Sequence, residues 1–217
     1  ALLFLGAGSV IIAMHHNENM WDMGGLRSKM PVTYVTFVSG SLALAGIFPF
    51  AGFWSKDEVL YETLLHGLDG DPVLLAAYAM GLVAVFFTGL YTFRMVFLTF
   101  HGDSRSETAE DPHGVRWNVK FPLVVLGVVA GFVNMVPVKK VTGLKIDYLH
   151  QWLEHGYAGL TVEHYGTLLH DFPGYGAAGL ELSPLLPGAV SLGLALAGAV
   201  VAHRLYNVPD PVEHTDR

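Results

Sequence analysis

The sequence predicts an all-α membrane protein, built as a polytopic bundle of transmembrane helices with one discontinuous helix around residues 46–56. Of its 217 residues, 52% are hydrophobic and only 14% are charged, whereas about 25% of the residues of a typical soluble domain are charged. Long apolar segments carry one charge or none. Gly and Ala recur within these segments, and such small residues let helix backbones approach closely in a bilayer.

Composition excludes several classes of function. The formal net charge is −7, with acidic residues gathered in connecting segments, so a basic surface for nucleic acid is not expected. The chain has no cysteine, which excludes disulfides, thiolate metal sites and thiol chemistry. No Gly-rich phosphate loop, Ser/His/Asp arrangement or cofactor motif is present. We therefore expect no cofactor, metal or redox centre in this chain.

The apolar segments predict the order of the helices. Residues 1–14 are too few to cross a bilayer, which takes roughly 20 residues in a helix, and they lack the basic region and cleavage site of a signal peptide. They predict the end of a truncated transmembrane helix, so we expect the chain to be a fragment. A discontinuous transmembrane helix is predicted at residues 31–66, and further transmembrane helices are predicted at residues 72–100, 121–138 and 186–203.

Basic residues are distributed unevenly among the connectors. Residues 15–30, 101–120 and the tail at 204–217 together hold seven Lys and Arg, whereas the alternate connectors hold three. By the positive-inside rule, the first group is predicted to be cytoplasmic. Residues 139–185 are predicted to form an outer-side connector, with a possible interfacial helix at residues 146–156.

The segment 31–66 is too long for one straight span. As a continuous helix it would be about 54 Å long at 1.5 Å per residue, against roughly 30 Å of hydrocarbon. Pro49 lacks an amide donor and clashes with the preceding turn, and Gly46 and Gly52 flank it. An interruption is therefore predicted between about residues 46 and 55.

The charged residues after the interruption admit two interpretations. Ser55 and Glu58 form a capping-box pattern, which predicts a second helix over residues 56–65. In the first interpretation, residues 31–54 cross alone and Lys56 lies at the headgroup level, as lysines at helix ends commonly do. In the second, the break lies within the membrane and places Lys56 near mid-depth in a hydrated cavity, as in the broken helices of transporters.

Several sequence blocks together carry a family resemblance. They are His15-His16, NMWDMGGLRSKMP at residues 19–31, ALAGIFPFAGFWSKDE at residues 43–58, and LYTFRM at residues 90–95. The chain resembles the antiporter-like L subunit of respiratory complex I, NADH:quinone oxidoreductase. The resemblance is strong over about residues 1–105 and rests on hydropathy alone beyond them. It implies a fragment of the C-terminal half, containing the broken twelfth helix of that family.

The resemblance implies a proton-translocating subunit that couples quinone reduction to proton transport in the cell inner (plasma) membrane. Lys56 matches the twelfth-helix lysine of the family's proton path, and Asp57 is its possible partner. The subunit is part of an enzyme, a translocase, while NAD, flavin, iron–sulfur clusters and quinone are expected in partner subunits. Its expected partners are other membrane subunits, the lipid bilayer and protons. A multi-subunit cation/proton antiporter, a membrane-bound hydrogenase and a structural scaffold remain alternatives.

Other ionisable residues are weaker candidates. Arg94 lies near the end of its span, where it could reach Asp57 or an acid on a neighbouring subunit, or could extend to the interface. His15 and His16, at a helix exit, could feed protons to the cytoplasmic side or could simply be solvated. The outer connector contains four histidines whose spacings match no standard zinc pattern, so no metal site is expected there. They are His150, His155, His164 and His170.

Overall fold

A computed structural model describes residues 1–132 and 185–208 of the protein, and throughout these residues the regular structure is helical. The prediction of an all-α fold is confirmed. The predicted interfacial helix at residues 146–156, the four connector histidines and most of the tail lie outside the described residues. The helices are α1 (Leu2–Ala13), α2 (Leu26–Lys29), α3 (Pro31–Ala45), α4 (Ala51–Leu68), α5 (Pro72–Phe100), α6 (Glu107–Glu110), α7 (Trp117–Phe132) and α8 (Leu185–Tyr206).

Two of the described helices, α5 and α8, are long and apolar enough to cross a membrane. Helix α5 begins at Pro72. The missing amide proton has no consequence there, because the amide at the first helical position donates no hydrogen bond within the helix. Asp71 caps this end by accepting hydrogen bonds from the amides of Val73 and Leu74. Only 11% of the residues in the most apolar part of α5 are buried by the described part of the chain.

Helices α5 and α8 lie side by side and run parallel. Gly89 faces Ala195, since a Cβ at Gly89 would lie 2.5 Å from the Ala195 carbonyl oxygen. Further along both helices, the rings of Phe97 and His203 are in edge-to-face contact, with centroids 5.3 Å apart. Gly198 likewise packs directly against the backbone of α5. Small residues at the contact thus bring the two backbones together, as is typical of membrane helices.

The shorter apolar helices α1, α3 and α7 pack around each other. Gly6 of α1 accommodates the Phe37 ring of α3, which would lie 2.7 Å from a Cβ at that position. On another side of α3, the Ser39 hydroxyl donates a hydrogen bond to the Gly127 carbonyl of α7 at 3.1 Å. Helix α7 begins at Trp117 rather than at the predicted residue 121, so it includes four residues that precede the predicted span.

Residues 15–30 and 101–116 meet at one end of the bundle, called here the connector end. Arg105 joins them through its guanidinium, which donates to the carbonyl oxygens of Trp21 at 2.8 Å and Met20 at 3.1 Å, and also to that of Leu98. The Lys29 ammonium adds a bond to the Ala109 carbonyl at 2.6 Å. These bonds hold the two connectors against each other at the shared ends of α1, α3, α5 and α7.

Candidate functional site

The end of α3 shows why the helix stops where it does. Gly46 adopts a left-handed conformation, with φ 77° and ψ 37°. Its amide bonds to the Ala43 carbonyl at 3.2 Å, and the Ile47 amide bonds to the Leu42 carbonyl at 3.0 Å. This pair of bonds is a Schellman motif, the common glycine-dependent helix ending. The Leu44 carbonyl is left among the terminal carbonyls that have no partner within the helix.

The second half of the broken helix begins earlier than the capping pattern predicts. Residues 46–50 separate α3 from α4, which starts at Ala51. The discontinuous helix is confirmed, but the prediction of Ser55 as N-cap is wrong, because Ser55 lies inside α4. Phe50 holds the N-cap position in an extended conformation. The chain can resume a helix soon after Pro49, since α4 contains no proline and each of its residues has an amide proton, and the capping pattern at Ser55 does not delay the helix start.

Glycines let the start of α4 cross close beside the end of α3. A Cβ at Gly52 would overlap the carbonyl group of Ala43, and its distance to the Ala43 carbonyl carbon would be 2.9 Å. A Cβ at Gly46 would lie 3.1 Å from Cδ of Lys56. The side chain of Lys56 therefore extends across the break and over the end of α3.

The ammonium group of Lys56 is bound by the end of α3. Its Nζ donates a hydrogen bond to the Leu44 carbonyl oxygen at 2.5 Å, and the residue is half-buried. The carboxyl end of a helix carries a partial negative charge, equivalent to about half an electron, which stabilises a cation there. Lys56 thus supplies a partner for a carbonyl that the helix break leaves without one.

A cavity of about 390 Å³ adjoins Lys56 between α4 and α5. This volume is large enough for several water molecules at about 30 Å³ each. The polar side chains of its wall are Ser55, Lys56 and Thr88. The lining residues from α5 lie within residues 81–88, which form the middle of the 29-residue helix Pro72–Phe100. Lys56 therefore lies level with the centre of α5.

Asp57 faces a different helix from Lys56. A Cβ at Gly188, in the first turn of α8, would lie 2.7 Å from Oδ2 and 2.9 Å from Oδ1 of Asp57. Oδ1 is buried and accepts no hydrogen bond from the described residues. Consecutive residues of a helix do not face each other, so the structure does not bring Lys56 and Asp57 together as an ion pair. The positive end of α8 lies beside the carboxylate instead.

Arg94 lies toward the connector end rather than beside Asp57. Its guanidinium carbon is 5.5 Å from the centroid of the Trp21 ring and 5.4 Å from that of Tyr206. Stacking of this kind holds an arginine by cation–π attraction. The residue joins a connector, α5 and the end of α8, and the structure does not bring it to the Lys56 site.

His15 and His16 follow the end of α1 and are exposed. Both adopt positive φ, 54° and 66°, and their amides bond back to carbonyls of the last turn of α1. The His15 ring is in edge contact with the His113 ring, with centroids 5.2 Å apart. These two histidines lie at the connector end, apart from the cavity beside Lys56.

Sequence reasoning missed a titratable group at the connector end. His101, just after α5, is half-buried, and its Nε2 lies 3.1 Å from the Tyr34 hydroxyl of α3. Burial lowers the pKa of His101, and the positive charges of Arg27 and His203 lower it further, while a hydrogen bond with Asn207 acts in the opposite direction. Its partners come from distant parts of the chain, so no local pattern could have indicated the group.

Among the described residues, no three His, Asp or Glu side chains lie close enough together to hold a metal ion. The fold and the site define a helical membrane protein with a lysine at the break of a discontinuous helix, and discontinuous helices form the ion and substrate sites of many transporters. Residues 1–88 match the family described as NADH:quinone oxidoreductase/Mrp antiporter, transmembrane. Comparison with individual proteins defines the family more narrowly than this class does.

The chain is 42% identical over 167 residues to NADH-quinone oxidoreductase subunit L of Pseudomonas aeruginosa, a match that covers 76% of this chain and 24% of that protein. It is 42% identical over 145 residues to subunit L of Escherichia coli, covering 66% and 22% of the two chains. It is 49% identical over 121 residues to the chloroplastic NAD(P)H-quinone oxidoreductase subunit 5 of Marchantia polymorpha, covering 51% and 16%. The chain spans about a quarter or less of the length of these relatives. Its recognition as a relative of the antiporter-like L subunit of NADH:quinone oxidoreductase is confirmed.

Proposed function

We propose that the chain is part of a proton-translocating membrane subunit of a complex I-like NADH:quinone oxidoreductase, and that Lys56 carries the proton at the helix break. The observation that carries this proposal is the position of the Lys56 ammonium, bound to the Leu44 carbonyl beside a cavity level with the centre of α5. The names of the relatives support the setting, because they are subunits of NADH-quinone oxidoreductases.

The depth of Lys56 favours a transport role over a place at the headgroup level. Helix α5, with 29 residues, is about 44 Å long at 1.5 Å per residue, so it exceeds the roughly 30 Å hydrocarbon core at both ends. Four of its central residues line the cavity of Lys56, namely Gly81, Ala84, Val85 and Thr88. A lysine at the headgroup level would lie beside an end of α5 instead. A cation near mid-depth is costly in lipid and is typical of an ion pathway.

The contacts of Lys56 suit reversible proton binding. The terminal carbonyls of α3 stabilise the charged ammonium, whereas the apolar surroundings of the cavity penalise it. These effects oppose each other, so a small change in the wetting of the cavity or in the contact with Leu44 changes the balance between the charged and neutral forms. A lysine can release its proton under such conditions, whereas an arginine keeps its charge.

The remaining features of the proposal follow from the same family. The subunit lies in the inner membrane as a multi-pass protein, with residues 15–30 and 101–120 on the cytoplasmic side. It works beside other membrane subunits and moves protons when quinone is reduced. NAD, flavin, iron–sulfur clusters and quinone are bound by partner subunits. Asp57 interacts with the first turn of α8 and does not pair directly with Lys56.

The test uses Lys56→Met and Lys56→Arg in the intact complex, with Lys120→Met as a control. Lys120 lies at the connector end, outside the Lys56 cavity. We expect both Lys56 variants to lower proton translocation per quinone reduced, since neither methionine nor arginine exchanges a proton. The control should pump as the wild type does. Unchanged pumping by correctly assembled Lys56→Met complex would remove Lys56 from the pathway and leave a structural role.

A subunit of a multi-subunit cation/proton antiporter is the second candidate, because the matched family includes Mrp antiporters. A membrane-bound hydrogenase is a third setting for the same helices. Membrane vesicles that contain the assembled complex separate these settings. Proton uptake driven by NADH and quinone supports the oxidoreductase, uptake driven by a sodium gradient without electron transfer supports the antiporter, and uptake coupled to hydrogen formation supports the hydrogenase.

A further inference from the structure

Arg94 carries a positive charge that no carboxylate of the described residues matches. Its guanidinium carbon lies 5.5 Å from the centroid of the Trp21 ring and 5.4 Å from that of the Tyr206 ring. With the described residues, the guanidinium forms neither a hydrogen bond nor an ion pair. A cation–π contact uses the charge of the group and not its N–H donors. These donors therefore remain for an acceptor from outside the described residues.

The depth of Arg94 corresponds to the edge of the hydrocarbon core. Phe86 is the middle residue of α5, and Arg94 follows it by eight residues, or about 12 Å at 1.5 Å per residue. Half of the hydrocarbon core measures about 15 Å, so with α5 centred in the bilayer Arg94 lies just inside the boundary.

The contacts of the guanidinium show that it points outward from this depth. The rings of His203 and Phe97 are in contact, which places them at the same level of α8 and α5. Tyr206 lies three residues further toward the connector end, and the guanidinium reaches its ring. The charge of Arg94 is therefore directed to the level of the lipid headgroups, as is typical of arginines near the ends of membrane helices.

A face of large apolar side chains leads along α5 to Arg94. Val83, Phe87 and Tyr91 are 56%, 55% and 45% exposed. Arg94 continues their spacing of three or four residues, which keeps all four on one side of the helix. The contact of α5 with α8 uses Gly89 instead, because small residues let membrane helices pack closely. A face of large side chains therefore favours acyl chains over a further helix.

We propose that Arg94, Trp21 and Tyr206, called here the arginine site, bind the phosphate of a phospholipid whose acyl chain lies along the exposed face of α5. The planar guanidinium pairs well with a phosphate through parallel N–H bonds. The rings of tryptophan and tyrosine are typical of the headgroup level. The phosphate supplies the negative charge that the described residues do not place beside Arg94.

The site lies where residues 15–30, α5 and the end of α8 meet, because each of these elements contributes one of its side chains. A bound lipid would thus contact all three elements at once. It does so independently of whether Lys56 carries protons, since the Lys56 cavity is lined by other residues of α5.

The experiment measures photochemical cross-linking of lipid to the intact complex in detergent. Phosphatidylglycerol and diacylglycerol carry the same photoactivatable acyl chain, so they share the apolar contacts and differ in the phosphate. Mass spectrometry quantifies the label on residues 80–94. We expect phosphatidylglycerol to label the wild type about fivefold more than diacylglycerol does, which corresponds to about 1 kcal/mol for one basic residue near anionic lipid.

Three variants assign the preference to Arg94. Arg94→Gln keeps a polar side chain without the charge, so the two lipids should label it about equally. Arg94→Lys keeps the charge and should retain most of the preference. Arg116→Gln, at an exposed arginine of the connector end, is the matched control and should keep the full preference.

A competition measurement on the wild type needs no variant. Unlabelled phosphatidylglycerol should displace the photoactivatable lipid, whereas inorganic phosphate should not, because it lacks the acyl chain. Displacement by inorganic phosphate would indicate an anion site that does not select lipid. Equal labelling of the wild type by both lipids would indicate that a carboxylate of a neighbouring helix occupies Arg94.

Either of these results, or a preference that persists in Arg94→Gln, overturns the proposal. The cross-linking requires no proton transport, and Lys56→Met should leave the lipid preference intact. Failure of the proposed function is therefore distinguishable from failure of the arginine site.

Discussion

Gly52→Ala tests whether the close crossing of α3 and α4 sets the position of Lys56. In the wild type, a Cβ at this position would overlap the Ala43 carbonyl group and lie 2.9 Å from its carbon. Carbon atoms in good contact are about 3.5 to 4.0 Å apart, so the start of α4 must move from α3 by at least about 0.6 Å. The Lys56 bond to Leu44 spans the same crossing, and we expect it to lengthen or break.

Two energies of opposite sign decide the effect of Gly52→Ala on stability. Alanine in a helix is favoured over glycine by about 1 kcal/mol, whereas overpacking against neighbours that have little room to move destabilises by typically 1–3 kcal/mol. The overlap is with backbone rather than with a flexible side chain, so the second effect should prevail. We expect lower thermal stability and less proton translocation per quinone reduced.

Gly193→Ala is the matched control for this prediction. Gly193 is also helical, within α8, and a Cβ there would meet none of the described residues within 4 Å. The same substitution should therefore be neutral or slightly stabilising. Both variants are measured in the assembled complex, by thermal denaturation and by proton pumping. If Gly52→Ala behaves as Gly193→Ala does, the crossing is not what positions Lys56.

Two further predictions concern the connector end. The pKa of His101 is lowered in the folded protein, so the unfolded chain binds a proton at this residue first as the pH falls through about 6.5. Stability should therefore decrease from about pH 6.5 down to the folded pKa, with no effect of this residue above about pH 6.5. His101→Gln should flatten this pH dependence of the thermal midpoint, and an unchanged profile contradicts the attribution to His101. Arg105→Ala removes the donors to the connector carbonyls of Met20 and Trp21 and to the Leu98 carbonyl of α5, and it should speed proteolysis within residues 15–30, whereas Arg116→Ala, at an exposed residue, should not. Equal cleavage of the two variants argues against Arg105 as the link.

The helix break could be predicted from the sequence because its causes are local. The length of the apolar segment, Pro49 and Gly46 require an interruption whatever the surroundings are. Its far boundary could not be predicted in the same way. Ser55 has a capping pattern, but a capping side chain only favours a helix start, and the chain had already resumed a helix at Ala51.

The partners of the charged residues depend on how distant segments meet. Leu44 becomes the partner of Lys56 only because α4 crosses beside the end of α3, a geometry that no spacing in the sequence states. Neither Tyr34 nor Asn207 has a motif that links it to His101. An adjacent pair such as Lys56 and Asp57 suggests an ion pair in the sequence, whereas helical geometry directs consecutive side chains to different neighbours.

The two adjacent charges of α4 are each matched by the end of another helix. Lys56 binds the negative carboxyl end of α3, and Asp57 lies at the positive first turn of α8, so each charge faces a partial charge of opposite sign equivalent to about half an electron. One turn of α4 is therefore tied to two helices at consecutive residues. Any rotation of α4 that separates Lys56 from Leu44 also moves Asp57 relative to Gly188. A displacement of Lys56 from Leu44 is in this way mechanically linked to α8.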